Sequence, residues 1–535
     1  MKPTSFRIHR EFNLPVRLCR FSRRRWWCWA ALAVAMIAGR VVLLPILPPP
    51  DPEFHDEFSY LLAADTFAHG RLTNPSPPLP EFFESPHILV SPFYASKYQP
   101  GQGLLLAFGQ KFLGHPYWGV VLSGATMVFL FCWAADAWLP PQWTLIAGGI
   151  SAILFFVRHY WFSSYWGGAL AACGGALVVG GFGRLLQGKI AGARFSLSAG
   201  ALILFATRPY EGGALCLATV GILAFQFVSR RPEERRIWLR AVILPNAAVL
   251  LVAALLIGWY NRRVTGHATD LPYFEYSRQY DLVPVLWVLD AYPPKEYSSS
   301  NTRARHLAER NDYQQLHRLS LPGAIGLQLF RFFREGVWLQ FRMFGLLLAG
   351  VPLARMHKRK KWLVLLLAAG VIALLLEVWI HGHYTAPYTS VELILIVAAG
   401  RALWYRLATS RWRVPAYLAA LVLVFAPLAW DYFVAIHFAH ATVRGRLVQM
   451  LASSGGRHLV FVSYTEAWNP DYEWVYNGAD LDGGSVVFAH LRSDGENRRL
   501  MDHFPDRTTW VVELGPAQTN VRLGRYEAAL AHVTP

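Results

Sequence analysis

Residues 26–47 read WWCWAALAVAMIAGRVVLLPIL, and residues 48–58 follow as PPPDPEFHDEF. The apolar run is long enough to cross the ~30 Å hydrocarbon core of a bilayer, and it follows Arg23-Arg24-Arg25. It is too long for the apolar part of a signal peptide, and no small-residue cleavage motif precedes Pro45. The stretch therefore predicts an uncleaved first span after a basic cytoplasmic N-terminus, residues 1–25.

The composition extends this prediction to the whole chain. Of 535 residues, 54% are hydrophobic and only 16% are charged, whereas about 25% are charged in ordinary soluble domains. The net charge of +17 is spread over short clusters between apolar runs, which speaks against a nucleic-acid partner because such partners select one basic patch. The five cysteines suggest neither a disulfide framework nor a cysteine-based metal site.

Apolar runs punctuated by basic or aromatic residues predict a polytopic α-helical membrane protein with about eleven spans. Residues 195–229 would form a helix of roughly 52 Å if they were continuous, so we expect a hairpin with its tip at 208–212. The predicted spans are 26–47, 117–138, 143–158, 165–184, 195–208, 211–229, 241–260, 335–354, 362–380, 386–405 and 414–436.

The distribution of Lys and Arg sets the orientation. Basic residues gather before the first span and in alternate connections, such as 230–240 and 355–361. Cytoplasmic loops carry this excess, so the N-terminus is predicted to be cytoplasmic and the C-terminus periplasmic.

Three parts are then expected outside the cytoplasm, around a transmembrane domain of residues 26–436. The loop 48–116 contains amphipathic pieces, and the loop 261–334 is long, polar and aromatic. The tail 437–535 alternates strand-like runs with a helical patch at Glu496–His503, which predicts a small α/β domain.

The first candidate for chemistry is His55-Asp56-Glu57 in the first outside loop. Adjacent carboxylates near a membrane are costly to desolvate, so they should face water, a cation or a substrate. One interpretation is a general base that activates a hydroxyl or amine acceptor. The other is a solvated loop in which Asp56 caps a helix over 58–67.

Two cations occupy turns on the same predicted side. Lys97 and Tyr98 precede a Pro-Gly helix start, where free backbone N–H groups and an ammonium favour an anion; an interfacial lysine in an ordinary turn is the alternative. Arg208 at the hairpin tip suits a bidentate phosphate contact, or else a pair with Glu211.

Further along, His381 and His383 offer two metal ligands, and two ligands do not make a site. Folding could add Asp56, Glu84 or His87 to them, and polar turn histidines are the alternative.

Taken in chain order, these features resemble the GT-C superfamily of membrane glycosyltransferases. The nearest branch contains protein O-mannosyltransferases, lipid A aminoarabinose transferases and RgtA/B/C/D-like bacterial proteins. The acidic pair follows the first span, an Arg-Pro-Tyr-Glu-Gly tip begins at Arg208, and a His-Tyr-x-x-Pro turn begins at His383. Lys97-Tyr98-Gln99-Pro100 stands where the family has Lys-Pro-Pro-Leu, and Trp474–Asp480 is similar to the tails of bacterial members.

The resemblance implies inverting transfer of a sugar from a polyprenyl phosphate to a lipid, glycan or protein acceptor at the periplasmic face of a bacterial inner membrane. Asp56 would be the base, and Glu57 would orient the acceptor or bind the sugar. Lys97 and Arg208 would hold the lipid phosphate, whose charge grows in the transition state. The other implied substrate-binding residues are Tyr98, Tyr210, Glu211, His383 and Tyr384. Some relatives use a divalent metal and others use none, so the resemblance implies either.

Two other functions compete with this one. A transporter or lipid flippase would favour charged residues in mid-span and pseudo-symmetric halves, whereas the candidate residues cluster at outside ends. A non-catalytic envelope assembly protein would account for the long loop and the tail, and would leave Asp56-Glu57 unexplained.

Overall fold

The computed structural model is a helical bundle that carries two small sheets. It describes residues 25–156, 159–338, 344–356, 359–407, 410–412, 415, 422, 441–465, 467–516 and 520–527. Its helices are α1 (Arg25–Leu43), α2 (His55–Ala68), α3 (Pro100–Leu113), α4 (Tyr117–Asp136), α5 (Pro141–Phe155), α6 (Tyr160–Ser163), α7 (Gly168–Leu186), α8 (Ser196–Phe205), α9 (Pro209–Val228), α10 (Pro232–Trp238), α11 (Leu244–Thr265), α12 (Pro272–Gln279), α13 (Ser300–Arg318), α14 (Leu321–Arg331), α15 (Phe344–Met356), α16 (Lys361–Leu375), α17 (Thr389–Arg406), α18 (Val443–Ser453) and α19 (Asp494–His503). Its strands are β1 (Asn74–Pro75), β2 (Ile88–Leu89), β3 (Phe93–Ser96), β4 (Arg457–Tyr464), β5 (Val486–His490), β6 (Arg507–Leu514) and β7 (Val521–Arg525).

A described helix lies at each predicted span from the first to the tenth. By length and composition, 6 of the described helices could cross a membrane, and α5, α16 and the run Ala191–Phe205 are shorter apolar helices. The eleventh predicted span, 414–436, lies almost wholly outside the described residues. The polytopic helical fold is therefore confirmed, while the number of spans stays a prediction.

The predicted hairpin within 195–229 is present. Helix α8 ends at Phe205 and α9 begins at Pro209, with Arg208 as the residue before the helix. Proline is favoured at the first position of a helix because its missing N–H would have no partner there. This sequence feature places Arg208 at the start of α9.

The segment 48–116, predicted to be the first outside loop, folds into α2, α3 and a small antiparallel sheet of order β1-β3-β2. Ile88 pairs with Ser96 across this sheet. The pairing brings the segment around His87 beside the segment around Lys97, and both lie against α2. Two parts of the loop that are distant in sequence therefore meet next to Asp56.

The tail forms the small α/β domain that the sequence predicts. Strand β4 is parallel to β5 and β6, and the antiparallel β7 completes the sheet order β5-β4-β6-β7. The predicted helical patch lies within α19. Strand β7 has no counterpart in the prediction, because Val521–Arg525 is only 5 residues long and Gly524 interrupts its alternation of apolar and basic residues.

The tail domain packs on the loop 48–116. Phe58 of α2 stacks on Tyr476 with ring centroids 4.3 Å apart, and the Tyr476 hydroxyl donates to the carbonyl of Pro86 at 3.0 Å. Phe82 and Phe461 belong to the same buried cluster. The tail and the loop that carries Asp56 therefore lie on one side of the helical bundle.

Candidate active site

The start of α2 fixes the position of Asp56. The Glu57 carboxylate accepts backbone N–H groups of Glu53 at 3.0 Å and Phe54 at 3.2 Å. Glutamate at this position satisfies N–H groups that otherwise lack partners at a helix start. The helix thus begins at His55 rather than at residue 58, and Glu57 rather than Asp56 makes the capping contacts. The Asp56 side chain is left free for another role.

The two carboxylate oxygens of Glu57 accept backbone hydrogen bonds from two different segments. Its second oxygen accepts the N–H of Tyr165 at 3.1 Å, and the side chain is buried. Burial raises the pKa of Glu57 to about 7, against the hydrogen bonds from Glu53 and Tyr165 that lower it. The contacts of Glu57 tie the first loop to the turn before α7.

The Asp56 carboxylate is held through one of its oxygens. The Tyr98 hydroxyl donates to Oδ1, and Nδ1 of His87 lies 3.2 Å from the same oxygen. Oδ2 has a longer contact, 3.4 Å, with Nε2 of His55. The Asp56 side chain keeps 15% of its surface exposed, so a carboxylate of fixed orientation remains partly accessible.

The backbone of His87 has an unusual conformation that hydrogen bonds hold in place. It has a φ of 67°, in the left-handed region that few non-glycine residues adopt. Its carbonyl accepts hydrogen bonds from the Ser59 hydroxyl at 2.7 Å and from the Lys97 N–H at 3.2 Å. Burial, followed by the charge of Lys97, lowers the pKa of His87 well below 6.5. The imidazole beside Asp56 is therefore neutral.

Lys97 lies in a cage of aromatic rings. Its Nζ is 4.7 Å from the ring centre of Tyr276, 5.0 Å from that of Tyr273 and 5.5 Å from that of Tyr98. The residue is only 5% exposed. Burial lowers the pKa of Lys97, and Asp281 leads the carboxylates that oppose this effect. A poorly hydrated ammonium of this kind binds an anion more strongly than an exposed lysine does.

Arg208 enters the site from the tip of the α8–α9 hairpin. Its Nη1 lies 3.5 Å from Oε1 of Glu211, so the pair considered from the sequence is present. Its guanidinium also lies over the Tyr384 ring at 4.7 Å. Tyr60 stacks on Tyr98 at 4.5 Å, and it is among the groups that raise the pKa of Arg208 against the effect of burial.

The turn that carries His383 lies against α7. A Cβ on Gly175 would approach the carbonyl oxygen of Pro387 to 2.0 Å, so only glycine allows this contact. His383 is buried, with Nδ1 3.2 Å from the Tyr160 hydroxyl and its ring 4.4 Å from that of Trp166. Burial lowers the pKa of His383 well below 6.5, so the predicted hydrogen-bond donor is a neutral imidazole.

Tyr210 faces a different part of the bundle. Its hydroxyl donates to the carbonyl of Ala373 in α16 at 3.0 Å. The backbone carbonyl of Glu211 accepts from Tyr388 at 3.0 Å. These contacts hold the start of α9 against neighbouring segments, and they thereby fix the position of Arg208, the residue before this helix.

Electrostatics connect the segments around Asp56. Burial acts to lower the pKa of Lys97, Arg208 and Arg305. The Asp56 carboxylate is among the groups that act to raise the pKa of each. It also raises the pKa of His381, against the larger effect of burial. The structure therefore brings Asp56, Lys97, Arg208 and the turn of His381 to one region.

The loop 261–334 adds residues that were not predicted from the sequence. Arg305 bridges Asp471 at 2.9 Å and Glu309 at 3.1 Å, and it joins α13 to the tail. His306 is fully buried, with Nδ1 2.8 Å from Glu309. The spacing of residues 305, 306 and 309 on one helix face is the signal that could have identified them. Glu84, a ligand candidate in the sequence, instead accepts the N–H groups of Ser298 and Ser299.

Comparisons with known proteins identify the fold. No family model matches the chain, and no curated protein matches it in sequence. The oligosaccharyltransferase of Archaeoglobus fulgidus, solved with zinc and sulfate, is similar in structure, with a TM-score of 0.51 and 12% identity over 90% of this chain and 67% of that chain. The chain has the GT-C fold. ArnT of Cupriavidus metallidurans, solved with undecaprenyl phosphate, matches with a TM-score of 0.49 and 13% identity over 94% of each chain.

Among the described residues, two groups of side chains have metal-binding atoms close together. His55, Asp56 and His87 form one group, and Asp281, His306 and Glu309 form the other, with the atoms of each group within 4.8 Å of one another. Nitrogen and carboxylate ligands suit a divalent cation such as zinc. In the first group, however, the Tyr98 hydroxyl already bonds Asp56 and lies 2.9 Å from Nδ1 of His87.

Proposed function

We propose that this GT-C chain is a glycosyltransferase that moves a sugar from a polyprenyl phosphate to an acceptor outside the cytoplasm. The observation that carries the proposal is the arrangement around Asp56. An oriented carboxylate faces a region that also holds two cations, the buried Lys97 and the half-buried Arg208. A base beside a site for a leaving phosphate is what a displacement at an anomeric carbon requires.

Asp56 acts as the general base in this proposal. Its Oδ1 is engaged by Tyr98 and His87, so Oδ2 is the oxygen that takes the proton from an acceptor hydroxyl or amine. The acceptor atom then bonds to the anomeric carbon as the bond from that carbon to the phosphate oxygen breaks. Attack opposite the leaving group inverts the anomeric configuration.

Lys97 and Arg208 stabilise the departing lipid phosphate. Its negative charge grows as the sugar leaves, and cations placed beforehand in a poorly hydrated site lower the barrier. Arg208 presents a planar fork that suits phosphate oxygens, and its position over Tyr384 fixes the plane of that fork. Arg305 extends the positive region toward the tail domain.

The remaining candidates hold these groups in position or contact the sugar. Glu57 and Tyr98 orient Asp56 from its own helix and from the adjoining loop, and Glu211 and Tyr210 support Arg208. His383 and Tyr384 line the far side, and Trp166 against His383 offers an aromatic face for a sugar ring. Whether the sugar is a pentose or a hexose depends on this side of the site.

The site is proposed to face the periplasm of a bacterial inner membrane, with the N-terminus cytoplasmic. The excess of Lys and Arg at the opposite ends of the spans supports this orientation. Because the tail packs on the first loop, it lies on the same face. It thereby forms one wall beside the acceptor, which is a lipid, a glycan or a protein.

A donor panel tests this function. Full-length protein in proteoliposomes would be offered undecaprenyl-phosphate pentoses and hexoses together with an envelope extract as acceptor source. We expect release of undecaprenyl phosphate from at least one donor, and loss of that release in Asp56→Asn. A wild-type protein that consumes none of the donors, but moves one of them across the bilayer, would favour a flippase instead.

A further inference from the structure

A second polar cavity lies at the opposite ends of the spans from Asp56. Its volume is about 480 Å³, and it is lined by the end of α4 and the turn after it, by Gln187 after α7, by the start of α16 and by Arg401 near the end of α17. Asp136 at the end of α4 pairs with Arg25 at the start of α1, whereas the loop that carries Asp56 follows the other end of α1. The cavity therefore opens at the other face of the bundle.

Positive charge dominates this cavity. Arg359, Lys360 and Arg401 line it, and Asp136 is the one carboxylate among its described lining residues. Asp136 is already engaged, since Arg25 lies 2.8 Å from one of its oxygens and Arg184 lies 3.6 Å from the other. Three cations thus converge with no carboxylate left for them within the described part of the lining.

The convergence is unfavourable without an anion. Burial lowers the pKa of Lys360, and the charge of Arg401 lowers it further. The Nε–H of Arg401 is buried and has no acceptor among the described residues. A buried hydrogen-bond donor without an acceptor lowers the stability of the fold. By contrast, the arginines and lysines that are generally enriched in cytoplasmic loops are solvated, so water serves as their acceptor.

We propose that this cavity binds a phosphate ester of net negative charge. Phosphate oxygens match the fork of Arg401 and the ammonium of Lys360, and the exposed Arg359 closes the outer side. Basic pockets between spans at the cytoplasmic face suit anionic lipid headgroups. The bound group would join α4, α7, α16 and α17, so the site would stabilise the bundle independently of sugar transfer.

Lipid binding to the full-length protein tests the proposal. Native mass spectrometry would follow dioleoylphosphatidylglycerol and dioleoylphosphatidylcholine on detergent-solubilised protein, and a thermal unfolding series would compare sodium phosphate with sodium chloride. The test variant is Lys360→Gln/Arg401→Gln. The matched control is Arg236→Gln/Arg240→Gln, which removes two exposed arginines outside the cavity.

We expect wild-type protein and the control to retain the anionic lipid at least about tenfold more strongly than the test variant does. Stabilisation by inorganic phosphate alone, lost in the same variant, would identify a soluble phosphate ester as the ligand. Should the double variant fail to fold, Arg359→Gln should still weaken retention, because it changes only an exposed side chain. Equal retention of both lipids, with no effect of phosphate, would overturn the proposal.

Discussion

The hydroxyl of Tyr98 donates a hydrogen bond to Oδ1 of Asp56, although the two residues are 42 positions apart in the chain. Tyr98 stands where the resembled family has proline, so the departure from the family pattern has a structural use in this chain. The same hydroxyl lies 2.9 Å from Nδ1 of His87. The tyrosine thus completes a set of contacts that holds the proposed base in one orientation.

Tyr98→Phe should lower kcat about tenfold with little change in the KM for the donor. The loss corresponds to one hydrogen bond to a charged group, and Asp56 would keep its charge while losing its orientation. Steady-state kinetics on the full-length protein would measure both constants. Tyr94→Phe is the matched control, because it removes a hydroxyl that donates to Asn477 rather than to Asp56. A variant with unaltered kcat would rule out the positioning role.

Lys97→Met should weaken donor binding roughly 10- to 100-fold, the effect of losing a charged hydrogen bond to phosphate. Because burial lowers the pKa of Lys97, wild-type donor affinity should fall on the alkaline side at a lower pH than for an exposed lysine. Lys97→Arg should move this loss to higher pH, since arginine stays protonated. Donor binding measured across a pH series would show the shift. Lys111→Arg, at an exposed position, should leave the profile unchanged.

Arg208→Ala should raise the KM for the donor and lower kcat, because the guanidinium contacts the phosphate before and during departure. Competition by undecaprenyl phosphate would report the same loss as a weaker inhibition constant. Arg278→Ala removes an exposed arginine paired with Asp270 in the outside loop, and it should have no effect on either value. Wild-type inhibition by undecaprenyl phosphate in Arg208→Ala would return Arg208 to a purely structural pair with Glu211.

Glu57 should make the fold more stable at acidic pH. Burial raises its folded pKa from 4.5 to about 7, so the folded state binds more protons than the unfolded state in this interval. Its contribution is fully present below pH 4.5 and is lost as pH rises toward 7, with a slope of up to about 1.4 kcal/mol per pH unit. Thermal unfolding of wild type and Glu57→Gln between pH 4.5 and 8 should differ in slope there. Parallel curves would contradict the prediction.

Much of the fold could be predicted because it follows from local pattern. Apolar runs, their length and the proline at 209 predict the spans and the hairpin, and alternating apolar residues predict strands of the tail. The packing of the tail on the first loop could not be predicted, because Phe58 and Tyr476 meet only through tertiary contacts. That packing puts the tail on the same side as Asp56 without any count of spans.

The site was predictable in part for the same reason. Asp56, Lys97 and Arg208 stand at span ends, where sequence and topology are informative. The contact of His87 with Asp56 depends on a backbone with positive φ, and no residue pattern predicts that conformation for a histidine. The group around Arg305 and Glu309 was missed because its helix lies in a loop that reads only as polar and aromatic.

Removal of the acceptor proton by Asp56 can be tested directly. Single-turnover release of undecaprenyl phosphate from a donor that the wild-type protein uses would be measured for Asp56→Asn, with Asp290→Asn as an exposed control. We expect Asp56→Asn to bind the donor and to unfold at the wild-type temperature but to release lipid phosphate at least about 100-fold more slowly, while the control behaves as wild type. Release at the wild-type rate by Asp56→Asn would show that Asp56 is not the base.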